Sequence, residues 1–220
     1  MSVDLERARP LAAEVVGDRP TVGYDALTRT RAYLEQLPGG LEGFPKCQAK
    51  AVIHRHVQGS SKVAIEGLPP DLQRYLDTPS KDTWIPQAHS LALILALIEG
   101  QGLGAGSEAE DLWIRRAARA LFASPMHAML MRAVSPRLMV KGANLRWSAF
   151  FRGSTLHSEV RSDEAEVLLE APVGLYDRNM AEVFTSVLRG AVAFADSQDE
   201  PMSVELVGVA PGRALYYCSW

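Results

Sequence analysis

Histidine and cysteine are the residue types in this chain that could hold a metal ion or act as nucleophiles. His54 and His56 stand two positions apart, a spacing that brings two imidazoles to one face of a strand but separates them on a helix. No cysteine or carboxylate cluster stands beside them to complete a tetrahedral site, so the simpler interpretation is a pair of surface histidines. We therefore predict no metal site.

Two further histidines stand alone in apolar surroundings. His89 begins an apolar segment, and His127 lies in a segment rich in methionine. A single helical histidine can bind haem iron, although such a residue is more often part of the edge of a core. Haem stays open as an alternative that nothing else in the sequence supports, and we predict no cofactor.

The sequence contains no recognisable catalytic motif. It lacks Gly-x-Ser-x-Gly, a phosphate-binding glycine loop with Lys-Ser/Thr, and His-Glu-x-x-His. Lys46 could lower the pKa of the neighbouring Cys47 thiol, but no partner base can be named. Cys218 alternates with its neighbours on the last predicted strand, where a structural role is expected. We therefore predict that the chain is not an enzyme, and we name no catalytic residue.

A segment rich in methionine and aromatic residues offers adaptable apolar surface. Such side chains line ligand pockets and partner grooves, although core packing is their commonest role. The residues that we predict to line a binding site for a ligand or partner are Trp84, Trp113, Met126, Met129 and Trp147.

Charge is distributed unevenly along the chain. No Asp or Glu occurs from Leu112 to Ser158, where arginine and lysine recur. In residues 159–182, by contrast, most of the charged residues are acidic. The basic segment could form a face for an anionic ligand or an acidic partner, or the two segments could neutralise each other. The residues predicted for this basic face are Arg115, Arg116, Arg119 and Arg132.

Length and composition limit the class of protein. The chain has 220 residues and a net charge of −3, so neither nucleic acid nor an anionic membrane surface is an expected partner. The longest apolar run, Leu91–Ile98, is too short to span a bilayer. Met1–Val16 carries acidic residues rather than the pattern of a signal peptide, and two cysteines cannot form a disulfide framework. We expect a cytoplasmic protein of a bacterium.

The last third of the chain has the clearest secondary-structure pattern. Apolar residues recur on one face of 178–195, which predicts an amphipathic helix with Asp177 as its N-cap. Alternation of buried and exposed types predicts four flanking strands, at 156–161, 164–169, 202–207 and 214–220. The predicted module is β-β-α-β-β, with the helix on one face of an antiparallel sheet.

The preceding part is predicted to be mainly helical. The helix over 87–99 is apolar nearly all round, which places it at the centre of a helical layer, and Ser107 with Glu110 forms a capping box for the next helix. That capped helix covers 108–123, and the other predicted helices cover 24–37, 48–57 and 70–76, with a short one starting at Val63. The fold class is therefore α+β, an N-terminal helical layer packed on the C-terminal β-β-α-β-β module. We divide the chain into an N-terminal extension with one helix, 1–46, and a single α+β domain, 47–220, whose helical part covers 47–153 and whose β-β-α-β-β part covers 154–220.

Three short motifs together resemble a myxobacterial paralogous family of unknown function. They are AVIHRHV at Ala51–Val57, GLPPDL at Gly67–Leu72, and WIP at Trp84–Pro86 before an apolar helix. Leu188–Ala191 fits the Gly-Ala step of the last helix in that family, and Tyr216–Trp220 fits its closing strand. The resemblance covers residues 47–220.

This family is similar to a wider superfamily of haem–nitric-oxide-binding domains, four-vinyl-reductase-type domains and TRAPP subunits of Golgi transport. The resemblance implies an α+β scaffold, often dimeric, for ligand binding or assembly. The chain lacks the Tyr-x-Ser-x-Arg motif that binds the propionates in the haem branch, so haem is not carried over. Only Cys218 stands where the four-vinyl-reductase type often has paired cysteines, so no metal or cysteine chemistry is carried over either.

The function expected from residues and resemblance together is that of a non-enzymatic signalling or adaptor domain. It would bind a small apolar ligand or a partner protein. One alternative is a structural homo-oligomer, such as a homodimer, that serves as an assembly subunit and whose interface is the helical face. Another is a haem or metal sensor that acts through His127, His89 or the His54–His56 pair.

Overall fold

The computed structural model describes residues 19–78, 83–124, 127–128, 135–195 and 203–220. Within these ranges eight α-helices, two antiparallel sheets and one short parallel strand pair form an α+β fold, which confirms the predicted class. The elements are β1 (Thr21–Gly23), α1 (Thr28–Gln36), β2 (Gln48–Lys50), α2 (Val52–Ser60), β3 (Ala64–Glu66), α3 (Pro70–Asp77), β4 (Trp84–Pro86), α4 (Gln87–Gly100), α5 (Glu108–Ala123), α6 (Pro136–Lys141), α7 (Ala143–Ser148), β5 (Phe151–Arg152), β6 (Thr155–Val160), β7 (Glu164–Glu170), α8 (Arg178–Ala195), β8 (Ser203–Ala210) and β9 (Arg213–Ser219).

The C-terminal module has the predicted β-β-α-β-β order. Its four antiparallel strands lie in the order β6-β7-β9-β8, and α8 packs on one face. The Asp177 carboxylate accepts a hydrogen bond of 2.8 Å from the Met180 N–H, which is the N-cap expected for α8. Alternation along β7 and β9 turns one set of side chains toward α8, and residues of that set such as Val167 and Tyr216 are buried.

Helix α4 lies at the centre of the helical layer. Every residue of α4 except Glu99 is buried, as the nearly continuous apolar sequence predicts. Helices α1, α2 and α3 pack around it, so α4 buries all sides of its surface rather than one stripe. The next helix, α5, begins at the predicted cap, because the Ser107 hydroxyl accepts a hydrogen bond from the Glu110 N–H.

Helix α1 depends on a residue from α4 for its N-terminal cap. The Glu99 carboxylate accepts hydrogen bonds from the N–H groups of Arg29 and Thr30, at 2.8 and 3.0 Å, and from two threonine hydroxyls. Leu27, at the N-cap position, offers no side-chain hydrogen bond. In the same helix, the buried Tyr33 hydroxyl donates to the Leu175 carbonyl. The predicted boundary at residue 46 stays a prediction.

Two short strands lie where the sequence predicted the starts of helices. Residues 48–50 form β2, between β4 and β5, and only the following residues form α2; the predicted helix was therefore wrong at its start. Val63 precedes β3, which pairs in parallel with β1 and is not the start of a helix. These strands are at most three residues long and are fixed by distant partners, so local periodicity does not reveal them.

Candidate functional site

A partly open apolar cavity lies between several helices and the inner face of the four-stranded sheet. Its volume is about 140 Å³. Helices α2 and α4 to α8 contribute to its wall, and β6, β7 and β9 contribute Leu156, Val167 and Cys218. An apolar cavity of roughly this size can stay dry and bind a molecule such as benzene.

Small residues on two facing helices leave this space open. Ala117 and Ala118 of α5 line the cavity opposite Val187 and Ala191 of α8. The two helices approach closely at Gly190, where an added Cβ would lie 3.1 Å from the Cβ of Ala118. The short side chains therefore allow α5 and α8 to pack closely, but they are too small to fill the cavity beside the contact.

One aromatic wall of the cavity is held rigidly. The Trp147 ring stacks on Phe151 at 4.1 Å between centroids and meets Phe184 edge-on at 4.8 Å. Its indole N–H lies 3.2 Å from both the carbonyl and the hydroxyl oxygen of Ser154. The Gln87 amide donates to the same hydroxyl and to Tyr176, so the polar groups behind the wall are satisfied.

The structure brings together some of the residues predicted for a binding site. Trp147 is buried and Trp113 is half-buried, and both line the cavity. Trp84 lies elsewhere, on β4, with the Arg152 guanidinium carbon 3.9 Å from its ring centroid. Met126 and Met129 lie outside the described residues.

The residues predicted to form a basic face have different surroundings. Arg115 forms an ion pair of 2.9 Å with Asp111, whereas Arg116 and Arg119 are exposed and Arg132 lies outside the described ranges. Burial alone would raise the pKa of Asp111. Hydrogen bonds from Ser186 and Arg189, together with the charge of Arg115, outweigh this effect of burial and hold the pKa of Asp111 below its ordinary value.

Ionisable groups in the cavity lining are few and none is acidic. Burial raises the pKa of Cys218 to about 12, so its thiol stays protonated. Burial and the nearby Arg55 lower the pKa of His56, and burial also lowers that of Arg146. We considered His56 only for a haem or metal sensor, and we did not predict Arg146 as a site residue. The one sequence feature that relates to the position of the Arg146 side chain is Gly142, four residues earlier.

The buried histidines form no metal site within the described part of the chain. No group of three or more His, Cys, Asp or Glu residues there is placed to hold an ion. His54 and His56 both lie on helix α2, where their side chains diverge. His54 has no exposed surface, so the interpretation as a surface residue was wrong for it.

His127 does not combine with the cavity into a haem pocket. Ser124 donates its hydroxyl proton to the Leu121 carbonyl, so at 2.8 Å it accepts the proton of His127 Nδ1. This assigns the tautomer and leaves Nε2 as a buried acceptor without a partner among the described residues. A porphyrin, with four pyrrole rings, is far larger than a cavity of about 140 Å³, so haem does not fit here.

Cys47 is poorly suited to nucleophilic chemistry. Its thiol is buried and donates a hydrogen bond of 3.4 Å to the Gly153 carbonyl. Burial raises the pKa of Cys47, which is opposite to the effect considered for the neighbouring Lys46. At neutral pH the side chain is therefore a thiol packed in the core.

None of the helices in the described ranges is long and apolar enough to cross a membrane. The resemblance to the myxobacterial family stays a prediction. Comparisons of the chain with protein-family models, with curated proteins and with solved structures find no match.

Proposed function

We propose that this chain is a non-enzymatic binding protein for a small apolar ligand, which acts as a signalling or adaptor domain. The observation that supports the proposal is the cavity of about 140 Å³ with its almost wholly apolar wall. Removing a molecule of that size from water gives a favourable free energy that grows with its apolar area. The rigid Trp147 wall reduces the entropy that binding would cost.

Replacement of Ala117 by leucine tests this function. Ala117 lies on α5 and lines the cavity, so three added carbon atoms would occupy the ligand space. We expect toluene to bind the wild type and raise its Tm, and to lose both effects in Ala117→Leu. The filled cavity should itself stabilise the variant by about 2 kcal/mol, because each buried methylene contributes about 0.8 kcal/mol.

Ala120→Leu provides the matched control on the same helix, because Ala120 is exposed. It should leave toluene binding unchanged in calorimetric titration. Wild-type protein that binds neither toluene nor any similar small apolar molecule would exclude this function.

A second candidate function is self-association as an assembly subunit. Strand β8 is an edge of the four-stranded sheet, and its Val207 is 61% exposed, with Val209 also exposed. Exposed apolar residues on an edge strand favour contact with another chain. A partner protein could use the same strand.

A further inference from the structure

The outer face of the small sheet β4-β2-β5 carries two cations beside a tryptophan. The guanidinium carbon of Arg152 lies 3.9 Å from the centroid of the Trp84 ring, and the ammonium nitrogen of Lys50 lies 5.7 Å from it. Ala49 and Ile85, the neighbours of Lys50 and Trp84 along their strands, are buried on the opposite face. We call the outer surface formed by Lys50, Trp84 and Arg152 the cationic sheet face.

No anion pairs with the cationic sheet face within the described part of the chain. None of the ion pairs found there involves Lys50 or Arg152. Each of the three strands lies in a segment without Asp or Glu, namely 43–65, 83–98 and 112–158. Arg152 is exposed, and Lys50 and Trp84 are half-buried. This face therefore presents positive charge around an aromatic ring.

The outer face of the four-stranded sheet has the opposite charge. One row across strands β6, β7, β9 and β8 consists of Glu159, Glu166, Tyr217 and Glu205. Val167, the next residue along β7, is buried on the side of α8, so the row lies on the face that α8 does not cover. The three glutamates are exposed and the tyrosine is half-buried. We call this row the acidic sheet face.

The acidic sheet face contains a repulsion that the fold leaves uncompensated. Glu159 and Glu166 lie directly opposite each other on antiparallel strands, where like charges destabilise a sheet. Arg161 lies 3.9 Å from Glu159 but forms its closer ion pair, at 2.9 Å, with Glu164. Glu166 and Glu205 take part in none of the ion pairs between described residues. A cationic surface placed over the row would relieve this repulsion.

We propose that copies of this chain associate by placing the cationic sheet face of one copy on the acidic sheet face of another. Each face has a half-buried aromatic ring among like charges, and the charges of the two faces are opposite. Tryptophan, tyrosine and arginine contribute most at the centres of interfaces, and complementary charge selects the partner. The inference rests on the second candidate function, self-association, but assigns the contact to two sheet faces rather than to the β8 edge.

Reversal of one charge on each face tests this contact. Arg152→Glu and Glu166→Lys change exposed residues, and sedimentation equilibrium measures the Kd of association. We expect the wild type to associate and each reversal to raise the Kd at least about tenfold, because like charges would then meet across the interface. Arg178→Glu and Glu35→Lys are the matched controls, since they make the same changes of charge at exposed sites on α8 and α1 and should leave the Kd unchanged.

A mixture of the two reversed variants gives the most specific result. The Arg152→Glu copy keeps its acidic sheet face and the Glu166→Lys copy keeps its cationic sheet face, so a mixture should form a complex of one copy of each. Both variants keep a negative net charge, because each substitution changes the wild-type value of −3 by two charges; overall attraction therefore cannot produce the complex. Raising the ionic strength to about 1 M, where the screening length is about 3 Å, should dissociate it.

Two further variants keep the test informative if one of these chains does not fold. Lys50→Glu and Glu205→Lys each reverse another charge of the same two faces and should behave in the same way. Circular dichroism shows that each variant is folded before its association is measured.

The outcomes separate the inference from the function beneath it. If the wild type associates but the reversals leave its Kd unchanged, or if the two folded reversals do not combine when mixed, the contact between faces is wrong and self-association stands. Loss of association in Val207→Lys alone would then assign the contact to the β8 edge. If the wild type stays a single chain at high concentration and low salt, the second candidate function fails together with the inference.

Discussion

His54 and His89 flank the ring of Tyr75 in the interior of the helical layer. Each imidazole centroid lies 5.8 Å from that of Tyr75, in an edge-on arrangement. Neither nitrogen of His54 has a hydrogen-bond partner among the described residues, and His89 Nε2 lies 3.2 Å from a Glu42 oxygen. Burial lowers the pKa of His54 to about 4, with a smaller effect from Arg55, and burial lowers that of His89 as well. Both rings are therefore neutral at pH 7.

The neutral state of His54 makes folding stability depend on pH. Above its ordinary pKa of 6.5, His54 binds no proton in either state and contributes no pH dependence. Between pH 6.5 and about 4 the unfolded chain binds a proton at His54 and the folded chain does not. The free energy of unfolding therefore decreases as the pH is lowered through this interval. The full loss is roughly 3 kcal/mol, from 1.36 kcal/mol per pKa unit.

Urea denaturation at several pH values between 7 and 4.5 measures this loss. His54→Phe, which cannot bind a proton, should lose less stability over that interval than the wild type. His157→Gln is the control, because His157 is exposed on β6 and its removal should leave the slope nearly unchanged. Equal slopes in His54→Phe and the wild type would show that His54 does not carry the effect.

The burial of His54 could not be predicted from the sequence, whereas His89 lies in the helix that was predicted to be central. Histidine is intermediate between buried and exposed residue types, so its own identity gives no signal. The spacing of His54 and His56 shows that their side chains lie on different faces of a helix, but it does not show which face is buried. That depends on α3 and α4, whose Tyr75 and His89 come from distant parts of the chain.

Among the elements, α1 shows how a distant side chain can cap a helix. Glu99→Gln keeps the shape of the side chain but removes the charge, so hydrogen bonds to two N–H groups and two hydroxyls become weaker. We expect the free energy of unfolding to fall by about 1–2 kcal/mol. Amide exchange in α1 should accelerate more than exchange in α8.

Glu35→Gln is the matched control for this element. Glu35 is exposed in the last turn of α1, and the same change there should alter stability by less than about 0.5 kcal/mol. If Glu99→Gln were as mild as this control, Glu99 would not be an important cap for α1.

The long elements were predictable because their patterns extend over several periods. Helix α8 and strands β7 and β9 have one buried face each, and Ser107 and Asp177 act as caps where expected. The capping box is only half formed. The Glu110 carboxylate accepts a hydrogen bond from the Gly106 N–H and forms an ion pair with Arg29, and it does not accept one from the Ser107 N–H. The partner of a carboxylate in the interior is decided by tertiary packing, which no local motif specifies.

For the whole molecule, self-association is tested by its mass in solution. One chain has a mass of 24.0 kDa, and under the second candidate function light scattering should give a multiple of that value. Val207→Lys places a charge on the exposed edge strand and should return the protein to a single chain. A wild type that stays at the mass of one chain at high concentration would exclude this function.

The cavity is a property of the whole fold, so only its ingredients could be predicted. Trp113 and Trp147 were predicted because they lie in the segment rich in methionine and aromatic residues, which suits a pocket. Trp84 was included because it is also aromatic, although it lies outside the cavity. The lining extends from Ile53 to Cys218, residues that only the complete packing brings together. Packing against the end of α6 likewise sets the position of Arg146, while the sequence shows only its charge.

The cap that Glu99 provides to α1 also has a consequence during synthesis. Thr28 precedes its partner by 71 residues, so on the ribosome α1 emerges long before the carboxylate that completes its first turn. An isolated helix of nine residues is marginal in water, and this one has no local cap. We therefore expect α1 to form a stable helix only after α4 has been made, and its residues to stay accessible to chaperones or proteases until then.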